Sequence, residues 1–197
     1  GDTKVVERGK ADGVFITTTG VGVLPEGVHL GGERVQVGDA VLLSGTIGDH
    51  GVAIMSQRDN LTFDAPVQSD TAALNGLVAH LLRSGVELHC LRDPTRGGVA
   101  ATLNEIAAQA GVGMMLRERD IPVRPVVNAA CELLGLDPLN VANEGKLLAF
   151  CPQAKAPALL AALRAHPLGQ DAAIIGEVIA DDHHFVQLTT AFGGRRI

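Results

Sequence analysis

The sequence predicts an α+β domain in which a mixed β-sheet is layered with helices. Short apolar runs rich in β-branched residues alternate with longer segments whose apolar residues recur every three or four positions, giving about six or seven strands and five helices. The last two strand patterns follow each other without a helix between them, which favours α+β over a doubly wound fold. At 46% hydrophobic residues, the 197-residue chain can bury a substantial core.

The first part of the chain divides into a short N-terminal piece, a linker and the start of the main domain. We assign residues 1–22, which include a β-branched strand pattern, to the end of a preceding domain. Glycine and proline punctuate residues 23–38, as is typical of a linker. The main domain covers residues 39–197 and opens with a strand pattern at 39–45 and a helix pattern at 52–58.

Four further helix patterns carry an apolar stripe with start or stop signals at their ends. Ser69 and Asp70 are expected to cap the first of them, and glycines end the first three. These helix patterns cover residues 70–84, 98–110, 125–134 and 156–165. The remaining strand patterns cover residues 89–91, 112–118, 147–151, 172–179 and 185–190.

Charge and composition argue against nucleic acid and membrane partners. The formal net charge is −6, from 22 acidic and 16 basic residues, and no long basic cluster is present to attract a phosphate backbone or anionic lipid. No apolar run reaches the roughly 18 to 20 residues that span a bilayer. Aromatic residues are only 3% of the chain, which leaves few platforms for base stacking. We therefore expect a cytoplasmic protein with no nucleic acid and no membrane partner.

The three cysteines, Cys90, Cys131 and Cys151, lie far apart in the sequence, and none is in a CxxC motif. An odd number of widely spaced cysteines is typical of small apolar core residues in a reducing compartment. A reactive or metal-binding cysteine is the alternative.

The loop at residues 93–98 connects a buried strand to a helix and is the first candidate site. Backbone N–H groups at a helix start lack partners within the helix, and Gly97 and Gly98 would let an anion approach them. Arg96 adds a guanidinium suited to phosphate or carboxylate, Thr95 adds a hydroxyl, and Asp93 can hold a metal or orient the arginine. In the alternative interpretation, Asp93 and Thr95 cap the helix while Arg96 pairs with Asp93.

The segment Asn143–Glu144–Gly145–Lys146 precedes an apolar strand and is the second candidate. It can present a carboxylate and an ammonium to a ligand, or it can be a turn with a salt bridge. His50 stands at a predicted helix start, where a structural role is the first expectation and catalysis the alternative. Asp181–Asp182–His183–His184 predicts a solvated hairpin turn in preference to a metal site, because adjacent strand residues point in opposite directions.

Five motifs, in this order and spacing, resemble the HypE family of hydrogenase maturation factors, the carbamoyl dehydratases. They are GDTKVVERG, SGTIGDHG, LRDPTRGG, NEGK and HPLGQDAAIIGEV, and the resemblance covers nearly the whole chain. That family belongs to the superfamily of aminoimidazole ribonucleotide synthetase and selenophosphate synthetase. The resemblance implies the fold of the C-terminal domain of aminoimidazole ribonucleotide synthetase, preceded by the end of an ATP-binding domain.

The chemistry implied by the resemblance is an ATP-dependent dehydration. A carbamoyl group, held as a thioester on a C-terminal cysteine, is phosphorylated on its oxygen and then loses phosphate and a proton to give a thiocyanate, the source of the cyanide ligand of nickel–iron hydrogenase. Such a reaction needs stabilisation of the phosphate charge and a base for the N–H proton. The implied cofactors are ATP and Mg2+. The implied partners are the carbamoyltransferase HypF and the scaffold proteins HypC and HypD, and the implied assembly is a homodimer.

Matching the motifs residue by residue transfers functional roles to this sequence. Lys4 in GDTKVV resembles the lysine near the phosphate and carbamoyl groups, and Glu144 in NEGK resembles the carboxylate that could act as base. Asp2 is a candidate contact for Mg2+ with ATP. The residues expected to line the phosphate-binding cleft beside them are Asp93, Thr95, Arg96, Gly97 and Gly98.

The sequence also departs from the family pattern. The family ends in a Pro-Arg-Ile-Cys tail that carries the substrate, whereas this sequence ends at Ile197, and most of the ATP-binding half has no counterpart in it. We therefore expect this chain alone to be inactive. The alternatives are another ATP-dependent synthetase of the superfamily and a non-catalytic domain that docks a partner.

Overall fold

A seven-stranded mixed sheet forms the centre of the part of the chain that the computed structural model describes, residues 7–9, 19, 21–58 and 67–197. Its order is β2-β4-β1-β5-β3-β6-β7, and neighbouring strands are antiparallel except β3 and β6. The predicted α+β class is confirmed. The strands are β1 (Asp39–Leu43), β2 (Cys90–Arg92), β3 (Gly113–Arg117), β4 (Leu148–Pro152), β5 (Ala173–Ile179), β6 (Val186–Thr189) and β7 (Arg195–Arg196).

Helices cover both faces of the sheet. On one face, α3 packs against β1, β3, β4, β5 and β6, while α2 and α5 pack together on the opposite face. The pair α1 and α4 shares a smaller apolar cluster of its own. None of the helices in the described ranges is both long and apolar enough to cross a bilayer. The helices are α1 (Asp49–Arg58), α2 (Asn75–Arg83), α3 (Gly98–Ala110), α4 (Pro125–Leu134) and α5 (Ala156–Arg164).

The central strand β1 is buried along its whole length because helices lie on both of its faces. Val41 and Leu43 point to the α3 side, whereas Ala40 and Leu42 point to the side of α2 and α5. Successive side chains of a strand alternate between faces, so residues 40–43, which are covered on both sides, must be apolar. This requirement explains the continuous apolar run in the sequence.

Two predictions about the ends of elements are wrong. Ser69 and Asp70 do not cap α2, which begins at Asn75 without a side-chain cap, because the Asp70 carboxylate bonds elsewhere. The turn at 181–184 is exposed as predicted, but it does not close a hairpin, since β3 lies between β5 and β6. The turn instead carries the chain past the end of β3.

The segment before β1 is fastened to the sheet by a buried carboxylate–imidazole pair. Asp39 Oδ2 lies 2.7 Å from His89 Nδ1 and accepts the backbone N–H of Gln36, while the N–H of Gly31 donates to the carbonyl of His89. Val35 packs into the core beneath α3.

The domain boundaries predicted at residues 22 and 38 stay predictions. Most of the strand pattern predicted at residues 14–19 lies outside the described residues.

All three cysteines are buried, as the sequence predicts. Burial raises the pKa of Cys90 to about 11, with Arg92 opposing and Glu33 adding to the rise. Burial, together with the carboxylates of Asp39 and Glu87, raises the pKa of Cys151 to about 12. Burial and Asp137 also raise the pKa of the Cys131 thiol. The thiolate is the reactive form, so none of the three is activated.

We predict that the buried thiols make the fold sensitive to alkaline pH. In the unfolded chain they lose their protons near pH 9, whereas in the folded chain Cys90 and Cys151 keep theirs to about 11 and 12. The unfolded state therefore binds fewer protons in this range, and the free energy of unfolding falls as the pH rises from 9 towards 11. Denaturant titrations at several pH values measure the slope. In a Cys151→Ala variant, the free energy of unfolding should fall less steeply with pH than in the wild type. An unchanged slope would contradict this account.

The start of α3 depends on glycine at position 98. Gly98 has φ of +64°, and a Cβ there would lie 2.4 Å from the carbonyl oxygen of Leu139 and 2.7 Å from that of Val141. The connection between α4 and β4 thus packs directly against the first turn of α3. The space that a side chain at position 98 would occupy is filled by the backbone of residues 139–141 and is not available to a ligand.

We expect Gly98→Ala to lower the free energy of unfolding by roughly 3 kcal/mol, from the left-handed backbone together with the overlap. Gly135→Ala is the matched control, because Gly135 has φ of +67° but no atom within 4 Å of the added Cβ. Gly135→Ala should lower the free energy of unfolding by roughly 1 to 2 kcal/mol, which is the contribution of the left-handed backbone alone. Equal losses in chemical denaturation would show that the contact with Leu139 and Val141 contributes nothing.

Candidate active site

Three loops meet at one end of the sheet. In the antiparallel register, Leu43 at the end of β1 and Arg92 at the end of β2 both lie beside Leu148 at the start of β4. The loop after β1, the loop after β2 and the segment entering β4 therefore converge there. They carry the motifs SGTIGDHG, LRDPTRGG and NEGK.

Asn143 ties these three loops together. Its side chain is buried, its Oδ1 accepts the N–H of Gly48 at 2.9 Å, and its Nδ2 donates to the carbonyls of Pro94 at 3.0 Å and Val141 at 3.1 Å. Its own N–H also donates to the carbonyl of Pro94. One amide thus supplies both acceptor and donor functions in a place where water is excluded, and these bonds set the position of the next residue, Glu144.

A second set of contacts holds Glu144 from the other side. Asp70 Oδ1 accepts the backbone N–H of Glu144 at 2.9 Å, and Asp70 Oδ2 lies 3.8 Å from Nζ of Lys146. The Asp70 side chain is only 3% exposed. A Cβ on Gly145 would lie 1.8 Å from the carbonyl oxygen of Asp70, so the two segments are in direct backbone contact. The carboxylate of Glu144 itself stays exposed.

Glu144 borders a cleft of about 680 Å³ that contains two of the five predicted cleft residues. Thr95 and Arg96 from the loop before α3 line it, together with His50 and Arg58 of α1. Its apolar wall is formed by Ile54, Met55 and Leu136. Guanidinium groups and a hydroxyl beside a carboxylate suit an anionic ligand that also gives up a proton.

A smaller groove of about 380 Å³ lies on the other side of Thr95 and Glu144, which line both spaces. Asp93 and Arg92 line this groove and not the larger cleft. The side chains predicted as one site therefore divide into two groups, with Thr95 and Glu144 forming the partition. Apolar residues dominate the rest of the groove, namely Ala72, Leu74, Val78, Leu91 and Leu147.

The structure corrects three details of the predicted site. The N-cap residue of α3 is Gly97, and no side chain caps the helix, so the capping interpretation of Asp93 and Thr95 is wrong. The N–H of Gly98 donates to the carbonyl of Thr95 and the residue is buried, which leaves only Gly97 as a candidate backbone donor in this pair. Lys146 is 15% exposed and pairs with Asp70, so the ammonium of NEGK does not face the cleft beside Glu144.

His50 lies at the start of α1 and is held by a chain of hydroxyl groups. Its Nδ1 is 2.8 Å from Ser69 Oγ, which is in turn 2.7 Å from Thr71 Oγ1 and accepts the backbone N–H of Thr71 at 3.1 Å. Ser69, Asp70 and Thr71 are consecutive, so one short segment contacts His50 through the side chain of Ser69 and the backbone of Glu144 through the side chain of Asp70.

Nucleotide phosphate has suitable partners among the described residues, which contain no preformed cluster of metal ligands. Arg58, Thr95 and Arg96 offer cationic and hydroxyl groups in one cleft. Within residues 7–9, 19, 21–58 and 67–197, no three His, Cys, Asp or Glu side chains are placed to hold a metal ion. The predicted metal contact Asp2 and the predicted catalytic Lys4 lie outside these ranges. The Mg2+ site and the role of Lys4 stay predictions.

The sequence of the domain matches a known family. Residues 36–189 match the model of the AIR synthase related protein, C-terminal domain. The chain belongs to this family. The fold of this AIR synthase related domain therefore agrees with the one that the motif resemblance implies.

More specific similarities lie within the AIR synthase related proteins. The chain is 64% identical to the carbamoyl dehydratase HypE of Azotobacter vinelandii over all of its own length and 58% of that protein. A crystal structure of a HypE–HypF complex matches with a TM-score of 0.84 and 45% identity over 88% of this chain and 56% of that chain. A structure of HypE in complex with ATP matches with a TM-score of 0.79 and 48% identity over 84% and 51%. The predicted resemblance to HypE is confirmed, and the chain spans a little over half the length of these relatives.

Sequence reasoning missed two residues that organise the site of this AIR synthase related domain. The motif NEGK contains Asn143, but its charged residues Glu144 and Lys146 are the ones that predict ligand binding. The sequence predicts a helix cap at Asp70, and this cap does not form. The sequence does offer one signal for Asn143. It follows the apolar pair Val141 and Ala142 and precedes Glu144, a position where a buried amide can bridge loops. No local pattern pairs Asp70 with residues more than seventy positions away.

We expect Asn143→Ala to lower the free energy of unfolding by roughly 2 to 4 kcal/mol, because the N–H of Gly48 and the carbonyl of Pro94 lose a buried partner. Asn143→Asp should not restore stability at neutral pH, since a carboxylate cannot donate to Pro94 and Val141. Asn128→Ala is the control, because Asn128 is exposed on α4 and its side chain donates to the exposed carboxylate of Glu132. It should change the unfolding free energy by less than about 0.5 kcal/mol in the same denaturant titration. A loss of that small size for Asn143→Ala would contradict the bridging role.

Proposed function

We propose that the whole protein containing this chain is an ATP-dependent carbamoyl dehydratase that acts in hydrogenase maturation. One observation carries the proposal. Glu144, which is exposed, lines a cleft with Thr95 and Arg96, and the buried side chains of Asn143 and Asp70 fix the backbone that carries it. A base supported by a rigid surrounding, beside groups that suit phosphate, meets the needs of a phosphate-activated dehydration. The 64% identity to a carbamoyl dehydratase supports the same reaction.

The proposed chemistry has two steps. First, the carboxamide oxygen bonds to the terminal phosphorus of ATP, the bond from that phosphorus to ADP breaks, and one proton leaves the carboxamide nitrogen. Second, the C–O bond breaks with its electron pair going to phosphate, the second proton leaves the nitrogen, and the electrons of that N–H bond complete the C≡N bond. Phosphorylation is needed because an amide oxygen is a poor leaving group until it is part of a phosphate ester.

The residues of the cleft have separate roles in this proposal. Glu144 removes a proton from the carboxamide nitrogen. Arg96, Arg58 and Thr95 bind phosphate oxygens and stabilise the charge that develops when phosphate leaves. Lys4 would add a further cation, as the motif resemblance implies. Asp93, on the far side of the partition, would contact the part of the ligand that enters the smaller groove.

The proposed partners come from the relatives. A solved structure of HypE with ATP supports ATP as the phosphate donor, and a solved HypE–HypF complex supports HypF as the protein that loads the carbamoyl group. HypC and HypD as later partners, Mg2+ with ATP, thiocyanate as the product, a homodimer and a cytoplasmic location are proposed from the motif resemblance. The activity is proposed for the whole protein, because the curated relatives are longer than this chain.

We predict that Glu144→Gln in the full-length protein lowers the rate of dehydration at least about 100-fold, because the amide cannot accept the N–H proton. The assay follows loss of one water from the carbamoylated carrier thiol by mass spectrometry after ATP is added. Glu132→Gln is the matched control. Glu132 is an exposed glutamate of α4 outside the cleft, its glutamine still accepts from Asn128, and the rate should not change.

Two outcomes would reject parts of the proposal. Dehydration by Glu144→Gln at the wild-type rate would remove Glu144 as the base. No ATP consumption by the wild-type protein with a carbamoylated thiol, but consumption with selenide or a ribonucleotide, would favour another synthetase of the superfamily. If neither occurs and the protein still captures HypF, the partner-docking alternative gains support.

A further inference from the structure

We propose that His50 is a second proton-transfer residue of this cleft and that Ser69 and Thr71 position it. The proposal rests on the proposed dehydration, and it adds a catalytic role that the motif comparison does not give to this residue. His50 is half-buried at the start of α1 and lines the same cleft as Glu144, Thr95 and Arg96.

The chemistry needs more proton transfer than one carboxylate supplies at once. Two protons leave the carboxamide nitrogen, and the departing phosphate takes up one of them, so the balance of the reaction releases one proton. Nε2 of His50 takes the first proton while the oxygen is being phosphorylated and gives it to the phosphate oxygen as the C–O bond breaks. Glu144 takes the second proton and releases it to solvent. Both groups return to their starting protonation states.

The hydrogen bonds of His50 suit this role. Ser69 Oγ accepts the N–H of Thr71, so it has one donor and one acceptor function left for His50 Nδ1 and Thr71 Oγ1. If Nδ1–H donates to Ser69, the serine hydroxyl donates to Thr71, and all three bonds are made. This arrangement is the same for neutral and protonated imidazole, because only Nε2 changes. Nε2 is therefore the nitrogen that exchanges a proton with a ligand.

Two other half-buried histidines, His80 and His166, have a ring nitrogen bonded to a backbone group and serve as a comparison for His50. His166 Nδ1 accepts the backbone N–H of Leu168, and His80 Nε2 is bonded to the carbonyl of Ala162. The rings of His80 and His166 are in contact, with centroids 5.9 Å apart. A backbone N–H cannot reverse its direction, so protonating His166 at Nδ1 would break the bond to Leu168. Neither histidine lines the cleft.

The charged groups that share the cleft support proton exchange at His50. Arg58 comes from the same helix, Arg96 from the loop before α3, and Glu144 from the segment before β4. The two guanidinium groups place the phosphate that would receive a proton, and the carboxylate would accept the other one. His50 thus shares one space with the groups that bind phosphate and with the second proton acceptor.

The test uses the full-length carbamoylated protein and ATP. His50→Asn keeps a donor near the position of Nδ1 for Ser69 but removes Nε2, and His50→Ala opens a space for added imidazole. Both should slow dehydration roughly 100-fold while ATP affinity and thermal stability stay close to wild type. Added imidazole should restore the rate of His50→Ala at least about tenfold and leave His50→Asn unchanged. Ser69→Ala should lower kcat less, with KM for ATP unchanged.

His166→Asn is the matched control, since its amide oxygen still accepts the N–H of Leu168. It should dehydrate at the wild-type rate with no effect of imidazole. A wild-type rate for His50→Asn, or a slow His50→Ala that imidazole does not restore, overturns the proposal. Glu144→Gln assayed in parallel separates the two failures. If it is slow while His50→Asn is fast, only the role of His50 falls, whereas a wild-type protein that never dehydrates the thiol removes the proposed function itself.

Discussion

The buried amide of Asn143 is the interaction on which the rest of the site depends. It joins the loop after β1, the loop after β2 and the segment entering β4 through bonds of 2.9 to 3.1 Å. Each partner is a main-chain group, and loss of a buried hydrogen-bond partner costs more than loss of an exposed one. Glu144 and the loop carrying Thr95 are neighbours as a result of this bridge, although they are far apart in the chain.

The sheet makes such a bridge possible. Packing on both faces of β1 fixes the sheet between α3 on one side and α2 with α5 on the other. The antiparallel register of β1, β2 and β4 then brings three loops to one end. The opposite end has its own buried polar pair, Asp39 with His89, which fastens the preceding segment. The chain therefore stabilises both ends of its central strands with buried polar groups, and only one end opens into the cleft.

Local sequence patterns predicted most of the fold, because helix and strand periods follow from how each element contacts the core. Among the described residues they located the five α-helices and six of the seven strands, and missed β7, a strand of only two residues. They failed where partners are distant in sequence. The predicted hairpin at 181–184 is wrong because β3 lies between β5 and β6, and the predicted cap at Ser69 and Asp70 is wrong because Asp70 bonds Glu144.

The motif resemblance predicted that Glu144, Thr95 and Arg96 belong to one site, and all three line the same cleft. No spacing rule could show that Gly98 faces protein or that Asp93 lies across the partition.

The segment from 67 to 74 has no regular secondary structure, and such stretches usually accept insertions and deletions between homologues. Here the backbone of Asp70 is packed against Gly145, its side chain accepts the N–H of Glu144, and the side chain of Ser69 contacts His50. A change of one residue in length would shift both of these cleft residues. Natural variation in length should therefore be found in the exposed turn at 181–184, and this irregular segment should keep a constant length like a core strand.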